Sequence, residues 1–177
     1  MNLETKRLFL KETDWDDLPA IHSMLCEPEV EQYNTIGRPG NLEVTKAIIA
    51  GPIEDRYNRR RSMYEWTIRS IKEGHTMGVV GLSLGAERFR SGEIHYSLFP
   101  DCWGNGYAYE ALMETLKFSF KIEKLHRVYA GVAVNNDRSI KLLEKLGMQR
   151  EGRGRAVLPI QGEWVDNYRY AILEDEF

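Results

Sequence analysis

Cysteine is scarce in this chain of 177 residues, which holds only Cys26 and Cys102. Two such distant residues make neither a disulfide framework nor a metal-ligand spacing, and they read as reduced thiols. An excess of one charge is missing too. The 24 Lys and Arg stand against 27 Asp and Glu, a formal net charge of −3, which leaves no whole-protein footprint for nucleic acid. No apolar run approaches the length of a membrane span. The opening "MNLETKRLFLKETDWDD" is charged from residue 4 onward and lacks the apolar centre of a secretory leader. These absences place the chain in the cytoplasm, away from the membrane. His22, His75 and His126 are scattered through different elements, so no metal is expected. Internal repeats, low-complexity tracts and linkers are also lacking. What is present, 42% hydrophobic and 29% charged residues, suits one globular domain over residues 1–177 with a good core.

Periodicity supplies the elements. "ETKRLFLKE" reads as an edge-like strand with Leu8 and Leu10 on one face. Thr13 or Asp14 opens a helix through Leu18, Ile21 and Leu25 that ends near Pro28. After the loop "TIGRPGN", Asn41 caps a second helix that Gly51-Pro52 should split or kink. "SMYEWTIRSI", "MGVVGLSLG" and "GEIHYSLF" are strands with links too short for helical crossovers, hence an antiparallel meander. A helix of about fifteen residues carries Ala108, Leu112, Leu116 and Phe120 at helical spacing. A strand "HRVYAGVAV" follows, then a short helix capped by Asn136 and closed by Gly147. "RGRAVLPI" and "WVDNYRYAIL" close the chain as a hairpin around "QGE". The order describes one mixed α/β domain.

The stretch "DCWGNGYAYEALMETLKF" places Gly104 and Gly106 just before a helix start. Helix starts leave N–H groups unpaired, and glycine lets another molecule approach the backbone. The plain reading is a tight strand-to-helix turn. The sharper one is an anion site built from N–H groups between Gly104 and Ala108. Two nucleotide schemes are excluded. A dinucleotide fingerprint needs a third glycine where Tyr109 stands, and no Gly-Lys-Ser/Thr follows.

"W-G-N-G-Y-A" resembles the pyrophosphate loop of the GNAT N-acetyltransferases, usually Gln/Arg-x-x-Gly-x-Gly/Ala, with Trp103 at its first position, Gly106 at its central glycine and Ala108 at its last. "VAVNNDRSIKLLEKLGM" is similar to the Asn-x-x-Ser-x-x-Leu-x-x-Lys-x-Gly-Phe segment of the Rim-type branch, whose members acetylate the N-termini of ribosomal proteins. "QGEWVDNYRYAILEDEF" resembles that branch's closing hairpin, and "ETKRLFLKETDWDD" its opening strand and helix. The likeness spans nearly the whole chain.

The resemblance implies the acyl-CoA N-acyltransferase fold, a mostly antiparallel twisted sheet with helices on both faces. It implies acetyl-coenzyme A as co-substrate, with direct attack by an amine in a ternary complex. Backbone groups at Gly104, Asn105, Gly106, Tyr107 and Ala108, with Trp103, would hold the diphosphate. Leu98 and Phe99 would stand where the strand splays to pair with the pantetheine arm. Asn136 and Ser139 would reach that arm, Ser139 lying near the sulfur. Each has a plainer role: Asn136 as helix cap, Ser139 as surface hydroxyl, Leu98 and Phe99 as a strand end. Many relatives carry a tyrosine acid four residues after this serine; Leu143 occupies that place here. A thiol pKa of about 8.5 already makes the thiolate a fair leaving group, so a hydrogen bond from Ser139 would serve. Glu93 is the candidate base, directly or through water, against the plainer reading of a solvated carboxylate. His95 and Tyr96 follow on opposite faces, one of them toward the cleft.

The acceptor is read as a protein N-terminus or a similarly acidic amine, with a polyamine, amino acid or antibiotic as the rival. A non-catalytic acyl-coenzyme A sensor is a second rival that Leu143 keeps open. A second copy of the chain stays among the partners. Arg56, Arg59, Arg60 and Arg61 form a cluster read as solvated and favoured by a helix C-terminus, or else as a patch for an acidic partner.

Overall fold

A single twisted sheet of eight strands runs through the molecule, with helices on both of its faces. The computed structural model describes all of residues 1–177. The strands are β1 (Leu3–Glu4), β2 (Leu8–Glu12), β3 (Met63–Ser70), β4 (Thr76–Leu84), β5 (Ser91–Leu98), β6 (Arg127–Ala133), β7 (Gln149–Ile160) and β8 (Glu163–Leu173). Their spatial order is β1-β2-β3-β4-β5-β6-β8-β7. Every pairing is antiparallel except β5 with β6. That parallel step needs a crossover, supplied by α4 (Tyr107–Lys121). The other helices are α1 (Leu18–Leu25), α2 (Pro28–Glu31), α3 (Leu42–Asp55) and α5 (Asp137–Lys145).

Side chains alternate across the sheet, and the two faces differ in content. Leu8, Leu10, Trp66, Ile68, Val80, Leu82, Ile94 and Leu98 point to one face, where they meet Leu112, Leu116 and Phe118 of α4 and Leu143 of α5. This cluster joins 24 buried residues and is the main core. Trp66 anchors it, stacked on Tyr64 at 5.6 Å and edge-on to Phe118 at 5.1 Å. Thr115 and Ser119 can lie fully buried because each hydroxyl donates back to the carbonyl one turn earlier, at 3.0 and 2.8 Å. The opposite face packs against α1 and α3 through a cluster of 7 residues: Ile21, Met24, Leu25, Val30, Ile49, Ile53 and Val79.

Two local expectations need correction and one needs extending. The first strand is two pieces, β1 and β2, broken at Thr5–Arg7, where Thr5 and Leu8 bond across a bend. The helix through Leu25 ends near Pro28 as expected, but Pro28 then begins a further short helix, α2, as suits a ring whose missing N–H costs nothing at a first helical position. Helix α3 is neither split nor broken at Gly51-Pro52. Pro52 falls in its last turn, so it removes one late hydrogen bond, while buried Ile49 and Ile53 pin that turn to the sheet. The closing hairpin turns at Gln161 and Gly162, both with positive φ (48° and 82°), the backbone a two-residue hairpin turn requires.

Candidate active site

The sheet opens between β5 and β6. Their parallel pairing covers Ser91 to Glu93 against Arg127 to Tyr129 and then stops. Strand β5 continues against β4 as far as Leu98, paired with Gly78. Beyond Glu93 one side of β5 therefore faces a gap. The N–H of Phe99 donates to Met77 O at 2.9 Å, toward β4. Backbone groups alternate in direction along an antiparallel strand, so Tyr96 and Leu98 turn theirs to the gap. The Leu98 carbonyl accepts a hydrogen bond from the Trp103 indole N–H at 2.9 Å. The expectation for Phe99 is thus overturned, since its amide is spent in the ladder. The splay also starts earlier than Leu98, and Tyr96 is the amide that sequence reasoning passed over.

The glycine turn follows β5. Gly104 and Gly106 have φ of 75° and 78°, a region where a side chain is strained. A Cβ on Gly104 would meet nothing within 4 Å, so the space beside it is open. Asn105 fixes the turn, donating to Trp103 O at 3.0 Å and accepting from Arg7 at 3.0 Å. The first helical bond of α4 runs from Glu110 N to Gly106 O at 3.1 Å. Before it, the N–H groups of Gly104, Asn105, Gly106, Tyr107, Ala108 and Tyr109 donate to no protein atom. Six consecutive free donors at a helix start, with its partial positive charge, suit an anion.

Cations that the sequence does not place here gather around that turn. Arg7 lies over the Tyr107 ring at 4.5 Å, Arg138 over Trp103 at 4.8 Å and Lys145 over Tyr109 at 4.7 Å. Arg7 comes from the bend before β2, and Arg138 and Lys145 come from the two ends of α5, so the turn's own sequence does not announce them. Arg7 is held by Glu110, whose carboxylate also accepts from Thr5 at 2.6 Å. Burial alone would raise the Glu110 pKa, but the hydrogen bonds from Thr5 and Arg7 outweigh it and leave the carboxyl below its ordinary range.

Helix α5 closes the gap from the β6 side. Asn136 caps it, accepting from Ser139 N at 3.2 Å, as expected. Ser139 stands in its first turn, and Leu143 is buried in the main core. Tyr96 points from β5 toward this helix, and its hydroxyl lies beside Ser139. A cavity of about 300 Å³ lies between the start of α5 and the chain after α1, lined by Glu29, Gln32, Tyr33, Trp103, Asn136 and Arg138 among others. A second hollow, about 340 Å³, sits on the β7–β8 hairpin around Arg150, Arg153 and Tyr168, away from these groups.

Glu93 and His95 lie on the α1/α3 face. Glu93 is exposed at the point where the β5–β6 ladder ends. His95 is 48% exposed in its side chain and lies 3.3 Å from Glu65, which is 14% exposed. Gly81 makes this possible, because a Cβ there would fall 2.2 Å from the His95 ring. The arginine cluster divides: Arg59 and Arg60 are exposed, as a solvated run would be, whereas Arg56 and Arg61 are engaged. Arg56 binds Asp14 at 3.3 Å and the Thr13 carbonyl, Arg61 binds Glu12 and lies over Tyr64, and Arg60 binds Glu87. Arg56, at the end of α3, and Arg61, just before β3, clamp their segments to the end of β2 and the residues after it. No group of three or more His, Cys, Asp and Glu is arranged to hold a metal, and no helix is long and apolar enough to cross a membrane.

The free amides and cations at the turn fit a diphosphate, and the unpaired strand edge fits an amide-containing arm. Comparison with known proteins points the same way. The family described as acetyltransferase (GNAT) domain matches residues 7–149. An acetyltransferase of the GNAT family from Bacillus anthracis superposes with a TM-score of 0.83 at 30% identity over 99% of both chains. The [ribosomal protein uS5]-alanine N-acetyltransferase of Escherichia coli is 26% identical over 67% of this chain and 61% of its own length. The spermidine N-acetyltransferase of Vibrio cholerae, solved with CoA and spermine, shares the fold with a TM-score of 0.85 at 23% identity over 97% of this chain and 98% of its own. With the amide-lined turn and the open strand edge in place, the chain belongs to the GNAT acetyltransferases, enzymes that carry an acetyl group from acetyl-coenzyme A to an amine.

Proposed function

We propose that the acceptor is the α-amine of a protein or peptide N-terminus. The observation that carries this reading is the openness of the α1/α3 side of the gap, where Glu93 is exposed and His95 half exposed. An open floor admits the end of a chain. The relative acting on the alanine of ribosomal protein uS5 supports the same class.

Energetics favour it too. At pH 7, freeing an α-amine of pKa about 8 costs about 1.4 kcal/mol, whereas a lysine-like amine costs about 4.6 kcal/mol. Glu93, an exposed carboxylate at the end of the ladder, is a modest base that works through water. In this reading Gly104, Asn105, Gly106, Tyr107 and Ala108 hold the diphosphate, with Trp103 and Asn136 shaping the channel. The Tyr96 or Leu98 N–H receives the charge that develops on the carbonyl oxygen. Acetyl-coenzyme A supplies the activated thioester; the chain supplies orientation and hydrogen bonds.

One observation favours a small cationic amine instead. A buried oxygen of Glu65 has no hydrogen-bond partner, and an unpaired carboxylate oxygen attracts an ammonium group. The two readings separate in a thiol-release assay over peptides with free N-termini, spermidine, amino acids and aminoglycosides. Peptides are expected to turn over at least tenfold faster than spermidine, and the reverse order overturns the proposal. Glu93→Gln should lower kcat and move the acid limb of its pH profile; an unchanged profile would remove Glu93 as the base.

A further inference from the structure

Tyr96 carries a polar group that the core does not explain. Its ring packs against the main core from the unpaired stretch of β5. Its hydroxyl oxygen is shut away from solvent yet has no hydrogen-bond partner. Leaving a buried hydroxyl unpaired is destabilising, and a phenylalanine would fill the same space without that cost. Such an orphan group in a native fold asks for a reason. Ser139, in the first turn of α5, brings a second hydroxyl to the same place. Leu143, one turn further along α5, is buried and apolar and offers no proton.

We propose that the Tyr96 hydroxyl, with Ser139 beside it, donates a hydrogen bond to the sulfur that leaves the acyl carrier. The inference rests on reading the gap as the acetyl-coenzyme A site. As the amine nitrogen bonds to the carbonyl carbon, the carbon–sulfur bond breaks and its electron pair stays on sulfur. The amine's proton passes through water to Glu93, and the thiolate, whose conjugate acid has a pKa of about 8.5, takes a proton from solvent after it leaves. Tyr96 keeps its own proton throughout. Burial pushes its phenol up to about 12. Against a thiol of pKa about 8.5, full transfer from such a phenol is disfavoured ~3,000-fold. Donation without transfer has no such barrier, and hydrogen bonds to a charged sulfur are among the stronger kind. Tyr96 thus turns its N–H to the gap and its hydroxyl toward α5, so that one residue faces both the thioester's carbonyl oxygen and its sulfur.

Tyr96→Phe tests this, since it keeps the ring and removes only the oxygen. The variant should melt at or above the wild-type temperature. Its kcat should fall roughly 10–100-fold while the KM for acetyl-coenzyme A holds. Ser139→Ala should change kcat in the same direction by less. A second readout needs no turnover: the thiol of bound coenzyme A, titrated by its thiolate absorbance, should ionise about one pH unit lower in the wild type than in Tyr96→Phe. Identical thiol titrations with unchanged kcat would overturn the role of Tyr96 alone. If calorimetry found no coenzyme A binding to the wild type, the reading of the gap itself would fall.

Discussion

The two faces of the sheet are built by different means. The α4/α5 face is a continuous apolar body of 24 residues, and the glycine turn and the Tyr96 hydroxyl lie at its edge. The α1/α3 face has a cluster of only 7 and leans on charges instead. Asp17, with a fully buried side chain, accepts from Lys11 at 3.0 Å and Arg69 at 2.6 Å and also closes the cap at Asp14. Asp55 accepts from the amides of Ser62 and Met63 at 2.7 and 2.8 Å. The difference assigns different work to each side. A dry, close-packed face holds the backbone of β5 rigid against α4, where sub-ångström placement of amides matters. A thinly packed, polar face leaves Glu93 and His95 accessible to an acceptor.

The contrast can be broken most forcefully in the main core. Leu112→Ala should destabilise by about 3–5 kcal/mol, while Ile49→Ala in the small cluster should cost nearer ~2 kcal/mol, because its half-buried neighbours can close in. Urea unfolding of the two variants decides it; equal losses would mean that the small cluster is packed as rigidly as the large one. Next comes Asp17→Asn, expected to cost about 3 kcal/mol by stranding two partly exposed cations. Here pH sharpens the point. Burial works to raise the Asp17 pKa, but hydrogen bonds from Arg69, the Asp14 amide and Lys11 overcome it and hold it low. A depressed carboxyl stabilises the fold fully above its unfolded pKa, and that contribution is lost as pH falls through the folded value. Thermal melts from neutral to acid pH should therefore flatten in Asp17→Asn relative to wild type. The smallest change is Gly81→Ala. It forces the His95 ring away from Glu65 and should cost about 1–2 kcal/mol, with the acceptor KM altered and coenzyme A affinity kept. A changed coenzyme A affinity would show that the two faces are coupled.

Much of this arrangement is legible in the order of residues along the chain, and particular positions show why. Asn136 and Gly106 sit at helix ends, where capping and left-handed backbone are local demands that a short segment announces by itself. The meander of β3, β4 and β5 follows from short links. Phe99 shows the limit. Its place near the turn is legible, but whether its amide faces β4 or the gap depends on strand register, which pairing with another strand decides. Arg56 and Arg61 mislead for a similar reason: a run of like charges looks solvated throughout until Glu12 and Asp14 arrive from elsewhere in the chain.

Sequence alone determined the family likeness, the order of elements and the glycine turn that opens α4, because each rests on contacts between residues near in the chain. Tertiary structure alone decided which amides stay free along β5, which cations surround the turn, and that the Tyr96 hydroxyl meets Ser139 across the gap. Those relations join residues from distant segments, and only the packing of β5, β6 and two helices into one sheet brings them within reach.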